Sequence, residues 1–304
     1  MPSNVVNVFE VGVRDGLQNE TQPVSLADKM WLATGLAAAG VKDLELGAFV
    51  RPDKVPQMAD TELLYAAYRN GDLKLGQTRA WALVPNEKGL ERAIAAGAKY
   101  IAVFTAATES FAKKNIGMSI DESLNEFSKV IKVAKKHGIK VRGYVSTVFG
   151  CPFEGAVAPK QALKVIEKLA DLGVVQVSIG DTIGVATPKN VDLIVKPALR
   201  MLNKNQVAVH FHDTRGTALA NTLRSLELGI RTVDSSAGGL GGCPFAPGAT
   251  GNLATEDLIY MLDGLGMKSG INLKALCAVS LAFSKRIKRP VSSRYLQAFA
   301  SSCS

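Results

Sequence analysis

The chain has 304 residues, is 47% hydrophobic, and carries 36 basic against 27 acidic side chains for a net charge of +9. That length supports one large core, so a single domain is expected, and the four cysteines (Cys151, Cys243, Cys277 and Cys303) lack the paired spacing of a disulfide framework and read as free thiols. The basic excess suits a polyanionic substrate. It does not point to nucleic acid, because no helix-turn-helix, zinc-finger or RNA-recognition pattern accompanies it. No apolar run reaches membrane-spanning length, and neither a signal peptide, a prenylation site nor a peroxisomal tripeptide is present, so a cytoplasmic protein without a membrane partner is expected.

Along the chain, short β-rich runs alternate with amphipathic or alanine-rich helical segments. Strands are predicted at 5–11, 43–49, 79–84, 100–104, 140–146, 174–179, 206–211 and 232–236. Their near-continuous Val/Ile/Leu content is what a parallel strand buried on both faces requires. Helix ends are legible between them. Ser119-Ile-Asp-Glu122 is a capping box, Thr187-Pro188 places a cap ahead of a first-turn proline, and Gly40, Gly97, Gly138, Gly173 and Gly229 each close a helix shortly before the next strand. Eight βα units predict an α/β protein of the (β/α)8 TIM-barrel class, with a doubly wound sheet as the competing topology. The catalytic barrel is expected to occupy residues 1–265. Residues 266–304 are expected to form a short C-terminal helical extension packed on it, not an independent domain.

Barrel enzymes hold their chemistry at the carboxyl ends of the strands, and the unusual polar residues fall there. Arg14-Asp15 follows the first strand, Glu45 lies in the second, Arg142 in the fifth, and Asp181 follows the sixth. Glu45 has a structural reading as an ion-pair partner of Arg14 or Arg142, and Asp181 has one as the start of a turn. The seventh strand ends in His210-Phe-His212, whose alternation puts both imidazoles on one face, about 7 Å apart along the chain. Two imidazoles joined by the carboxylate of Asp15 and the amide oxygen of Asn252 suit an octahedral divalent ion with open positions, Mg²⁺ or Mn²⁺ before Zn²⁺. Between strand eight and Asn252 lies a glycine-rich segment that lacks the nucleotide-loop spacings. It reads as a mobile flap that carries Cys243 as a proton donor or acceptor. Cys151, Cys277 and Cys303 read as structural or incidental.

With these residues placed, the sequence resembles the hydroxymethylglutaryl-CoA lyases, of the metal-dependent barrel family that also contains isopropylmalate and homocitrate synthases. The resemblance runs from about Val8 to Leu265. It is carried by Glu10-Val-Gly-Val-Arg14-Asp15-Gly-Leu-Gln18-Asn-Glu20, Val55-Pro-Gln-Met-Ala-Asp60, Arg142-Gly-Tyr-Val, Gly150-Cys-Pro-Phe-Glu154-Gly, Gly180-Asp-Thr-Ile-Gly184, His210-Phe-His-Asp-Thr214 and the run from Gly238 to Asp257. It implies that Asp15, His210, His212 and Asn252 bind the metal, that Arg14 neutralises an enolate oxygen, and that Cys243 handles a proton at that carbon. It also implies that Glu45 and Asp181 support the metal and polar network, and that Gln18 and Arg142 hold the acyl part of an acyl-CoA thioester. The implied reaction is retro-Claisen cleavage to acetoacetate and acetyl-CoA, in a chain expected to form a homodimer. Gly47-Ala48, Phe211 and Arg215 depart from the commoner choices, which leaves another 3-hydroxy-3-alkylglutaryl-CoA as an alternative substrate. A Claisen-type synthase is the alternative reaction.

Overall fold

A computed structural model of the protein describes residues 4–242 and 251–302. Its eight strands are β1 (Asn7–Glu10), β2 (Asp43–Ala48), β3 (Arg79–Leu83), β4 (Tyr100–Ala106), β5 (Lys140–Ser146), β6 (Gln176–Asp181), β7 (Val207–Phe211) and β8 (Thr232–Ser235). Each pairs in parallel with its sequence neighbour, and β8 returns to β1 to close the barrel. The helices of the first four units are α1 (Leu26–Ala38), α2 (Thr61–Asn70), α3 (Glu87–Ala96), and the pair α4 (Glu109–Ile116) and α5 (Ile120–Lys136). The remaining units carry α6 (Pro159–Asp171), α7 (Pro188–Met201), α8 (Ala218–Glu227) and α9 (Thr255–Gly264). Helices α10 (Leu273–Arg286) and α11 (Arg294–Ser302) follow. This is a TIM barrel with a C-terminal helical extension, and among the described residues no helix is long and apolar enough to cross a membrane.

The predicted helix boundaries have visible physical causes. Ser119 and Glu122 form the reciprocal cap of α5, so two backbone donors that the helix leaves unpaired are satisfied. The five helix-ending glycines all sit at positive φ, where a side chain would be strained. Strand ends were less legible. β1 is shorter than predicted, and β6 starts at Gln176 instead of residue 174, because hydrophobicity runs past the hydrogen-bonded ladder. The short helix α4 is an insertion in the fourth unit, ended by Gly117 at φ 71°.

One large apolar core lies between the sheet and the helices, while a small cluster of Phe9, Val11 and Trp81, with Tyr100 against it, is separate. Strand alternation puts Glu45, Arg142, Ser178, His210 and Asp234 on the opposite side from that large core, so the barrel is filled largely by polar groups. Helix α10 packs on α1 with almost no gap: a Cβ on Gly35 would lie 2.9 Å from Val279. Trp31 and Phe283 stack beside it at 6.5 Å, and Arg286 pairs with Asp28 at 2.8 Å.

Candidate metal centre

The chain leaves β1 through a single π-helical turn, Gly12–Gly16, closed by the bond from Gly16 N to Val11 O at 3.1 Å. Such turns project consecutive residues in directions that an α-helical turn cannot, and they recur at functional sites. Both glycines are sterically required. A Cβ on Gly12 would lie 2.6 Å from Glu10 Oε1, and one on Gly16 would lie 2.8 Å from Leu240 and from Ser236 Oγ. The turn presents Arg14 and Asp15 side by side at the barrel mouth, where both line the cavity described below.

His210 comes from the last turnward positions of β7 and His212 from just beyond it, with ring centroids 5.3 Å apart. Residues 251–254 return alongside this strand end: Asp213 N bonds Gly251 O at 3.2 Å, Leu253 N bonds Phe211 O at 3.0 Å, and Ser236 N bonds Leu253 O at 2.9 Å. Backbone pairing thereby sets Asn252 opposite His212. Asp15, His210 and His212 each offer one donor atom within 4.8 Å of the others, a spacing that can close on one ion.

The unused lone pairs fit a cation. The Asn252 amide donates to Asp15 Oδ2 at 2.8 Å and to Leu240 O at 3.1 Å, yet its Oδ1 is buried without a hydrogen-bond partner among the described residues, as is His212 Nδ1. Buried polar atoms are almost always paired, so an orphaned amide oxygen beside a carboxylate and two imidazoles marks a place for a positive ligand. The protonation states of Asp15 and His212 agree. Burial alone would raise the Asp15 carboxyl, but Arg14, His210, His212 and the Asn252 amide together hold it well below the usual range. Burial and the neighbouring His210 push His212 down to about 4, leaving the neutral imidazole that metals bind.

A polar network links the two sides of the site beneath the cavity. Arg14 donates to Glu45 Oε2 at 2.7 Å and to Asp15 Oδ1 at 2.6 Å. The Tyr144 hydroxyl donates to Glu45 Oε1 at 3.2 Å and accepts from Arg142 at 2.9 Å. Arg142 grips Asp234 with two nitrogens, at 3.1 and 2.5 Å, and Asp234 meets His210 Nδ1 at 3.3 Å and Ser178 Oγ at 2.8 Å. The route thus runs from one metal-ligating candidate, Asp15, to another, His210. Burial opposes a charge on His210, but Asp234 and, after it, Asp15 together outweigh burial and raise its pKa.

Several expectations are revised by position. Arg142, expected to hold substrate, is 1% exposed, stacks 3.9 Å over Phe9 and does not line the cavity; it belongs to the barrel floor. Asp181 accepts from Val185 N at 3.0 Å and Ala186 N at 2.9 Å, so its carboxylate shapes the turn before α7. Gly47, Ala48, Phe211 and Arg215 are absent from the cavity wall: Gly47 abuts Thr61, Phe211 lies in the core, and Arg215 bonds the Ile183 and Gly184 carbonyls. Their departures from the family pattern therefore do not alter the cavity lining. Gln18 does line it, as does Gly242, while Cys243 lies outside the described residues. The sequence reading missed Asp234 and Tyr144. The signal was present, since Arg142/Tyr144 and Thr232/Asp234 are alternate positions facing one side of their strands.

The cavity has a volume of about 730 Å³ and runs outward past Phe49, Leu83, Phe104 and Phe111. Lys54 and Lys88 stand exposed on its rim with no ion pair among the described residues, whereas Arg51 and Arg92 there are paired to Asp53 and Glu62.

Comparison with known proteins places the chain among lyases of one family. The chain is 48% identical over 282 residues to hydroxymethylglutaryl-CoA lyase of Pseudomonas mevalonii, covering 93% of this chain and 92% of that protein. The fold superposes on the crystal structure of hydroxymethylglutaryl-CoA lyase from Pseudomonas aeruginosa with a TM-score of 0.94 at 42% identity, covering 99% of each chain. It also superposes on an HMG-CoA lyase from Acinetobacter baumannii in complex with coenzyme A and 3-methylmalate, with a TM-score of 0.91 at 34% identity over 97% of this chain and 95% of that one. Residues 5–282 match the family described as HMGL-like, and with the relatives just described this establishes that the chain belongs to the HMGL-like family.

Proposed function

We propose that the chain cleaves 3-hydroxy-3-methylglutaryl-CoA to acetoacetate and acetyl-CoA. The observation that carries this reading is the set of half-buried Asp15 and buried His210 and His212 within 4.8 Å, completed by Asn252 Oδ1, which is unpaired among the described residues, and opening on a cavity beside Arg14. The donors are two carboxylate or amide oxygens and two imidazole nitrogens, which suits Mg²⁺ or Mn²⁺ with positions left for substrate. When bound, such an ion lowers the pKa of a tertiary hydroxyl and polarises a carbonyl.

The protein's own groups account for the rest. The hydroxyl proton leaves to a base, the bond between the carbinol carbon and the thioester methylene breaks, and its electron pair becomes the enolate of acetyl-CoA. Arg14 is fixed by Glu45 and Asp15 with its guanidinium on the cavity wall, and there it stabilises the enolate oxygen. Because its partners already hold it, little reorganisation is needed as charge develops. Cys243, one bond beyond the cavity-lining Gly242, supplies the proton that converts the enolate carbon to a methyl group. Gln18 contacts the acyl part from the wall, and Lys54 and Lys88 attract the phosphates of a coenzyme A thioester at the rim. Arg142, Asp234, Glu45 and Tyr144 hold Arg14 and His210 in place, and residues 266–304 act as part of the barrel unit.

The test is incubation of purified protein with 3-hydroxy-3-methylglutaryl-CoA and Mg²⁺, with acetoacetate and acetyl-CoA quantified before and after chelation. The expected result is equimolar products, lost with chelator and restored by Mg²⁺. Absence of cleavage, together with condensation of acetyl-CoA onto a 2-oxo acid, would replace this reading with the synthase reaction.

A further inference from the structure

The glycine-rich segment after β8 reads from sequence as a flap, but its described part is held at every carbonyl. Gly238 O accepts from Ser292 N at 3.1 Å and Ser292 Oγ at 3.3 Å, and Gly239 O accepts from Ser292 Oγ at 3.1 Å. Leu240 O accepts from the Asn252 amide at 3.1 Å, Gly241 O from Arg289 at 3.0 Å, and Gly242 O from the Asn19 amide at 3.0 Å. Below, Glu10 and Glu256 accept the Ala237 and Gly238 N–H groups at 3.0 and 2.8 Å. The glycines are needed for this closeness. A Cβ on Gly241 would sit 2.5 Å from Asn252 Nδ2, and one on Gly251 would sit 2.2 Å from Gly239 O. The turn and the residue that presents the orphaned amide oxygen are therefore seated directly on each other.

Two of these supports, Arg289 and Ser292, come from the segment joining α10 to α11, outside the eight βα units. Arg289 also pairs with Glu20 at 2.9 Å, on the loop that follows the Arg14-Asp15 turn. That loop is itself anchored by the Val55–Asp60 motif: Gln57 donates to Glu20 O at 3.0 Å and Gln22 O at 2.7 Å, while the buried Lys29 holds Asp60 at 2.7 Å and the Gln57 carbonyl. Arg289 thus spans the two loops that supply Asp15 and Asn252, which are 237 positions apart in sequence.

We infer that Arg289, with Ser292, is a positioning residue for the metal centre: the C-terminal extension braces the turn on which Asn252 is seated and ties it to the loop bearing Asp15. This rests on the proposed metal-dependent cleavage but is testable apart from it. Charge and position act in opposite directions here, which makes the experiment decisive. Deleting a cation near a cation site should by itself tighten metal binding, whereas a slackened ligand frame should weaken it, and loss of a supporting partner around a metal costs roughly tenfold or more.

The experiment measures Mn²⁺ affinity by electron paramagnetic resonance titration, alongside kcat and KM, for the full-length protein and for Arg289→Met, Arg289→Lys and Ser292→Ala. The brace predicts Mn²⁺ affinity and kcat each lowered roughly tenfold in Arg289→Met, KM for the acyl-CoA within about twofold, partial recovery in Arg289→Lys, and a smaller loss in Ser292→Ala. Mn²⁺ affinity unchanged or tighter in Arg289→Met overturns it. A raised KM with intact kcat also overturns it, by making Arg289 a substrate contact. If Mn²⁺ affinity falls as predicted while the parent protein fails to cleave 3-hydroxy-3-methylglutaryl-CoA, the brace stands and the proposed reaction does not.

Discussion

Replacing Arg142 with methionine probes the network beneath the cavity. The Arg142–Asp234 pair is essentially excluded from water, at 1% and 0% side-chain exposure, and its closest nitrogen and oxygen are 2.5 Å apart. At charge separations of about 4 Å and an effective dielectric constant near 20, the attraction amounts to about 4 kcal/mol. Removing one partner strands the other, a change that costs about 3–5 kcal/mol for buried pairs. The stranded Asp234 keeps Ser178 and His210 as hydrogen-bond partners but loses its counter-charge. For a chain of this size the predicted fall in melting temperature is roughly 5–8 °C, readable by calorimetry or far-ultraviolet circular dichroism. Turnover should fall as well, because His210 is oriented through Asp234. The double variant Arg142→Met/Asp234→Asn removes both charges and should regain at least half of the lost stability while turnover stays low. If Arg142→Met melts within about 2 °C of the parent, a cost of less than about 1 kcal/mol, and only raises KM, the residue holds substrate and the network account is wrong.

Further predictions concern the site and its supports. His212→Ala and Asn252→Ala should each weaken Mn²⁺ binding at least roughly tenfold in calorimetric titration; an Asn252→Ala protein that binds Mn²⁺ as tightly as the parent would remove the amide from the ligand set. Cys243→Ala should lower kcat by roughly two to four orders of magnitude with Mn²⁺ affinity intact, as expected for loss of a proton donor. A parallel loss of metal binding would give the thiol another role. Burial raises Glu10 and Glu256 from 4.5 to about 7 in the folded protein. Because the folded state then holds these protons more tightly than the unfolded state, their contribution to stability is complete below about pH 4.5. It is lost as pH rises through about 7, by up to about 1.4 kcal/mol per pH unit for each group. Melting curves between about pH 5 and pH 8 should show a shallower decline for Glu256→Gln than for the parent, and equal slopes would show that Glu256 is ionised throughout.

The barrel was legible because its strands are buried on both faces and rich in aliphatic residues, with polar groups at only a few inward positions, and because capping residues mark the helix starts. The two histidines were legible for a related reason: a period of two in a known strand fixes which side chains share a face. Long-range pairing was not. Asp234 sits in the four-residue strand Thr232–Ser235, where one acidic residue reads as a strand end, and only barrel closure brings it to Arg142 and His210. Arg142 was visible as an unusual inward cation, but a sequence does not say whether a carboxylate of the protein or one of the substrate meets it. The described part of the glycine-rich segment, residues 238–242, misled in the same way. Its composition indicates conformational freedom, whereas its carbonyl partners come from Asn19, Asn252, Arg289 and Ser292, none of them within ten residues of the group it holds. The shared cause is that composition reports what a segment can do in isolation, and tertiary hydrogen bonds decide what it does.

The most direct test of the metal centre is anomalous diffraction from crystals grown with Mn²⁺. The account predicts one strong peak at about 2.0–2.3 Å from a donor atom of each of Asp15, His210, His212 and Asn252, at the inner end of the cavity. A fully loaded crystal with no peak among these four side chains, or with its strong peak elsewhere, would contradict it.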